Sequence, residues 1–74
     1  MRFIVICKDR KDQRKLQSME MAPDSSYRII RSYRRSEWHP DRRGYVVECD
    51  SKNEKFKLAI LFEVLEHRNE ELRL

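Results

Sequence analysis

Apolar residues along this chain come in clusters separated by charged stretches, and the period within each cluster predicts an element. Phe3-Ile4-Val5-Ile6-Cys7 is an unbroken, mostly β-branched run. That pattern predicts a strand covered on both faces and therefore central in its sheet. One helix cannot cover both faces, so a second helix or a second subunit is expected on the far side. Tyr27 to Tyr33 and Tyr45 to Cys49 read as two further strands by residue type, joined as a hairpin through Trp38-His39-Pro40-Asp41-Arg42-Arg43-Gly44. Pro40-Asp41 suits a type I turn, and Gly44 is expected to supply a positive φ that closes the loop. Tyr45, Val47 and Cys49 share one face of the second strand. Ile29 and Ile30 point to opposite faces of the first, which leaves its register open and allows a bulge.

Two segments carry helical signals. Ser51-Lys52-Asn53-Glu54 reads as a capping box, and from Lys55 to Leu72 there is no Gly or Pro. At 100° per residue Leu58, Leu61, Phe62, Leu65 and Leu72 gather on one face, widened by Ile60 and Val64, with Glu63, Glu66 and Glu70 opposite. This predicts a helix of about 30 Å, longer than a strand of ~17–20 Å, so its end would overhang the sheet and leave Ile60, Val64 and Leu72 for a partner. Lys8 to Met21 is rich in helix formers and stops before Pro23, which allows a helix over about residues 10–21. Only Leu16 and Met19 repeat at helical spacing and no convincing N-cap is present. A loop followed by a strand over Leu16–Met21 is an alternative. The expected fold is α+β: an antiparallel sheet of three or four strands with a long C-terminal helix across one face, in a single domain spanning residues 1–74.

Composition and charge sharpen this picture. A chain of 74 residues buries only about 60–65% of its unfolded surface, which makes a homodimer an expected source of added stability. The net charge of +4 is unevenly spread. Residues 51–74 carry five basic and five acidic groups, so the excess lies upstream, and Arg28 to Arg43 hold six arginines against Glu37 and Asp41. Cys7 and Cys49 have no finger or CxxC spacing and read as free buried thiols in a reducing compartment, so a cytoplasmic location is expected. The apolar run at the start is too short for a signal peptide or a membrane span, and no membrane partner is expected.

Arg28, Arg31, Arg34, Arg35, Arg42 and Arg43 stand near Tyr33, Trp38, His39 and Tyr45 in the hairpin. Guanidinium groups pair with phosphate in bidentate fashion and aromatic rings stack on bases, so this combination suits RNA or DNA. Catalysis has little behind it: His39 beside Asp41 reads as a polar loop residue, and His67 as a solvated helical partner of Glu63 and Glu71. Cys7, Cys49, His39 and His67 have no local ligand pair, and one glycine cannot build a phosphate loop, so neither metal nor cofactor is expected.

His39-Pro40-Asp41-Arg42-Arg43-Gly44-Tyr45-Val46-Val47 and Ser51 to Ala59 resemble part of double-stranded-RNA-binding domains, which have a histidine-bearing loop before an aromatic-Val strand and a lysine-rich start to the final helix. That family's third strand and glycine-rich approach have no counterpart between Cys49 and Ser51, so membership is not assigned. The order of strands followed by a helix is also similar to the DNA-binding modules of some phage integrases. The leading expectation is a non-catalytic nucleic-acid-binding module. The alternative is a small regulatory or inhibitory protein of the phage-accessory type that docks on a larger protein, such as a nucleic-acid enzyme, through the same hairpin or the C-terminal helix.

Overall fold

A computed structural model describes residues 1–35 and 41–66 of the chain. The β-branched run near the start forms β1 (Arg2–Cys7), and α1 (Arg10–Glu20) follows it. The hairpin strands are β2 (Tyr27–Arg34) and β3 (Arg43–Cys49); α2 (Lys52–Leu61) and β4 (Glu63–Glu66) come last. The strands make one antiparallel sheet in the order β2-β3-β1-β4, so β1 is central as its composition predicts. This element order and sheet order are those of the split βαβ, ferredoxin-like arrangement. No strand separates β3 from α2, which departs from the order of the double-stranded-RNA-binding domains. The arrangement hosts many unrelated activities and carries no function by itself.

The long C-terminal helix is not what forms. Ser51 caps α2 as expected, accepting from the Glu54 N–H at 3.4 Å, but the helix ends after Leu61 and the chain turns extended at Phe62. Val64 and Leu65 then pair with Val5 and Ile4 of β1. Helix propensity is a weak prior, and a central strand has a second row of N–H and C=O groups to satisfy. Glu63 to Glu66 serve that edge of β1, with Val64 on one face of the sheet and Leu65 on the other. The apolar stripe expected on one helix is therefore divided. Leu58 is fully buried under the sheet, Ile60 stands exposed on α2, Val64 is half-buried in β4, and Leu72 lies outside the described residues.

α1 does form, and it has a cap. Asp9 accepts from the Asp12 N–H at 2.9 Å while the Asp12 carboxylate accepts from the Lys8 N–H at 3.2 Å, a reciprocal closure of the first turn. Both helices lie on the same side of the sheet. Leu16 from α1 and Leu58 and Phe62 near α2 join Phe3, Val5, Cys7, Tyr27, Tyr45, Val47 and Cys49 in the main core. On the other side Ile4, Ile6 and Val46 are buried, with Tyr33 and Leu65 packed against them. The second helix expected on that side is not there among the described residues. No described helix is long and apolar enough to cross a membrane.

Polar ties fix the layers. The Tyr27 hydroxyl donates to the Leu16 carbonyl at 2.5 Å, and the Ser26 hydroxyl donates to Glu54 at 2.7 Å, joining the entry of β2 to α2. Glu20, in the last turn of α1, accepts from the Ile29 N–H of the edge strand β2, which blocks a group that could recruit a foreign strand. The register of β2 shifts between Ile29 and Arg31, so the bulge allowed by the Ile29-Ile30 pair is present.

Burial pushes the Cys7 thiol up from 9.0 to about 12, with the Asp12 and Asp9 carboxylates adding to it. The same causes act on Tyr27, whose hydroxyl is raised first by burial and then by Glu20 and Glu54. Both raised groups favour the protonated folded state. Below pH 9 the folded and unfolded chains are equally protonated at Cys7, and its contribution is complete. Above pH 9 the unfolded thiol ionises first and stability falls as pH rises toward 12, by at most about 1.4 kcal/mol per pH unit for this one proton. Urea midpoints measured at pH 8, 9 and 10 should drop over the last step, and Cys7→Ala should flatten that drop. An unchanged slope in the variant would assign the effect elsewhere.

Candidate nucleic-acid interface

The six arginines of the hairpin do not make one patch. Arg28 pairs in register with Glu48 across β2 and β3, and its guanidinium reaches that carboxylate at 3.5 Å. Arg2 of β1 approaches the same carboxylate at 3.8 Å. Arg28 is thus engaged in a partly exposed three-member network on the sheet face away from the helices. Sequence reasoning missed Arg2 and Glu48, and the only signal for them was strand pairing. Arg31 follows the bulge and stands opposite Val46 on that same face. Without the extra residue at Ile30, alternation would have turned Arg31 and Tyr33 to the helix side.

At the other end of the hairpin the arginines converge. Arg34 and Arg43 are directly opposite each other, and the Arg35 N–H donates to the Arg42 carbonyl at 3.2 Å one step further on. Arg34 and Arg42 are exposed, Arg35 and Arg43 half-buried. Opposed side chains in an antiparallel pair have Cβ atoms about 5 Å apart, and like charges there are destabilising by some tenths of a kcal/mol. Arg43 is steadied by donating to the Ser32 hydroxyl at 2.9 Å. Arg10 of α1 reaches Asp41 at 3.3 Å, and the Gln13 amide donates to the Asp41 carbonyl. The one acidic side chain described in this connection is therefore turned toward α1 and matched by a cation that sequence alone did not place there. Trp38 and His39 lie outside the described residues.

Tyr45 does not belong to the exposed set. Its ring is in the main core, 4% exposed, with its hydroxyl donating to Gln13 at 3.4 Å and accepting from Gln17 at 3.5 Å. Burial raises the pKa of this hydroxyl, partly countered by Arg43. A base cannot stack on a ring held in this way. Tyr33 is the aromatic on the opposite face: it pairs in register with Gly44, and its ring lies across that glycine. Gly44 has no positive φ, so the loop-closing role expected of it is replaced by a packing role within β3. A Cβ at position 44 would meet Tyr33 Cζ at 2.4 Å.

The geometry gives two successive arginine pairs at an exposed strand end, Arg34 with Arg43 on the sheet face toward the helices and Arg35 with Arg42 one step beyond it. Such groups can bind oxyanions, and phosphate diesters spaced along a polymer would neutralise the opposed charges. Among the described residues no group of acidic, His and Cys side chains is placed to hold a metal ion. Comparison of the chain with protein-family models, with curated proteins and with solved structures finds no match.

Proposed function

We propose that this protein is a non-catalytic nucleic-acid-binding module whose contact surface is the end of the β2–β3 hairpin, with Arg34, Arg35, Arg42 and Arg43 on the phosphates. The carrying observation is the direct opposition of Arg34 and Arg43, with Arg35 and Arg42 on the next step. A chain selected only for solubility has no reason to set arginine against arginine at a strand end. A polyanion supplies that reason, because it converts a local repulsion into shared counter-charges and releases condensed ions. Arg31 is exposed on the face turned from the helices, opposite to the face of Arg34 and Arg43, and adds positive charge there. Trp38 and His39 stand between the paired arginines in sequence and are the candidates for base stacking.

Fluorescence anisotropy with labelled single-stranded RNA, duplex RNA and duplex DNA, each at low and physiological salt, tests this reading. Saturable binding with a steep negative salt slope is expected for at least one polymer. Arg34→Gln/Arg42→Gln removes two exposed charges, so it should flatten the slope by about 1.4 for a single strand or about 1.8 for a duplex. Binding indifferent to salt, or an unaltered slope in the double variant, would remove the hairpin end from the interface.

A further inference from the structure

The outer face of α2 is unlike the rest of the described surface. Phe56 is 67% exposed and Ile60 82% exposed, one helical turn apart on the same face. Ala59 lies beside them, and Met1, Lys52, Lys55, Phe56 and Ala59 line a recess of about 200 Å³. Isolated exposed apolar residues are ordinary, but two large ones beside an apolar hollow form a place for an inserted side chain.

The charges that α2 itself exposes beside this stripe are of one sign. Lys52, Lys55 and Lys57 are the cations of α2, and its single acid, Glu54, is buried, accepting from Ser26 at 2.7 Å. Lys57 reaches the Glu54 carboxylate at 3.9 Å, and Lys52 and Lys55 line the recess itself. The Lys55 ammonium also stands 5.8 Å from the centre of the Phe3 ring. The exposed side of α2 is therefore an apolar stripe bordered by ammonium groups.

From this charge pattern we infer that α2 is a second docking surface, and that its occupant is an acidic amphipathic helix of a partner protein. An apolar side chain of that helix would fill the Met1–Phe56–Ala59 recess, its neighbour one turn away would lie on Ile60, and flanking carboxylates would meet Lys52 and Lys55. A second copy of this chain fits poorly. In a two-fold pairing of α2 with itself neither helix brings an exposed carboxylate to Lys52 and Lys55, since Glu54, the one acid of α2, is buried. This surface does not involve the hairpin, so the two readings stand or fall separately.

A display library of helical peptides randomised at all outward positions, selected on the intact protein and counter-selected on Phe56→Ser/Ile60→Ser, tests the inference. Both substituted side chains are exposed, so the variant should keep its fold, checked by circular dichroism, and its hairpin binding. The expected result is enrichment of peptides with apolar residues at i and i+4 flanked by Asp and Glu. Their binding should weaken at least tenfold in the double variant and also in Lys52→Glu/Lys55→Glu. Enrichment of basic or neutral peptides, or equal enrichment on the variant, would overturn it. So would a concentration-dependent dimer abolished by Ile60→Ser, or binding to phosphatidylglycerol vesicles lost in the double variant with no peptide selected.

Discussion

Leu16→Ala is expected to remove a large share of the stability of this fold. Leu16 is the only fully buried residue of α1, and it is 0% exposed in the main core. Large-to-small changes at such sites cost roughly 2–5 kcal/mol through lost transfer energy and the cavity left behind. A chain of 74 residues has only roughly 4–11 kcal/mol in total by the usual per-residue range. The remaining ties of α1 cannot compensate. The Arg10–Asp41 pair is exposed, 74% on one side chain and 54% on the other, and such pairs contribute tenths of a kcal/mol. The Tyr27 hydroxyl bond to the Leu16 carbonyl survives only while α1 stays seated. Urea unfolding followed by circular dichroism, with hydrogen exchange along residues 10–20, should show an early loss of α1. Met19→Ala, at a half-buried site, should cost clearly less. A loss below about 1 kcal/mol for Leu16→Ala would mean that polar contacts hold the helix.

The thin anchoring of α1 also explains why it was hard to read from sequence. Its inward face needs one leucine and one methionine, and the rest of its contacts are polar and distant in sequence: Gln13 and Gln17 to Tyr45, Arg10 to Asp41, Glu20 to Ile29. No periodicity announces such contacts. Asp9 and Asp12 have the spacing of a cap, but the charged run around them hides it, and no N-cap is expected there from sequence. The central place of β1, the two hairpin strands and the Ser51 cap followed from local pattern and are present, and the bulge that the Ile29-Ile30 pair left open is found there. The end of the chain was misread because Glu63 to Glu66 have helical residue types, and only the unpaired edge of β1, far away in sequence, makes them a strand. In the candidate site the arginines were visible but their grouping was not. Cross-strand register joins Arg34 to Arg43 and separates both from Arg28, which Glu48 holds. Tyr45 could have been withdrawn from the sequence reading, because it shares a face with Val47 and Cys49, the face on which the helices pack.

Gly44→Ala should destabilise the protein, and that loss should disappear when Tyr33 is absent. Gly44 is the single glycine of the chain and sits inside β3, where glycine is disfavoured by about 0.5–1 kcal/mol relative to alanine. Its backbone is ordinary extended strand, so conformational freedom does not account for it. The ring of Tyr33 does: a Cβ at position 44 would lie 2.4 Å from Cζ, 2.6 Å from Oη and 2.8 Å from Cε1. To admit it the ring must swing off the sheet, away from the buried side chains of Ile6 and Val46 against which this tyrosine packs. Overpacking of this kind typically costs about 1–3 kcal/mol. In a Tyr33→Ala background the clash is gone and only the strand preference remains, so Gly44→Ala should then be neutral or stabilising. A double-mutant cycle in urea should therefore give a coupling on the order of 2 kcal/mol, and losses of equal size in both backgrounds would refute the ring-over-glycine account. The same contact bears on the hairpin end, since Tyr33 and Gly44 adjoin Arg34 and Arg43 in register. If the ring over Gly44 keeps that strand end flat and paired, Gly44→Ala should weaken the nucleic-acid binding proposed for it without removing a charge, and the salt slope should stay close to that of the parent chain.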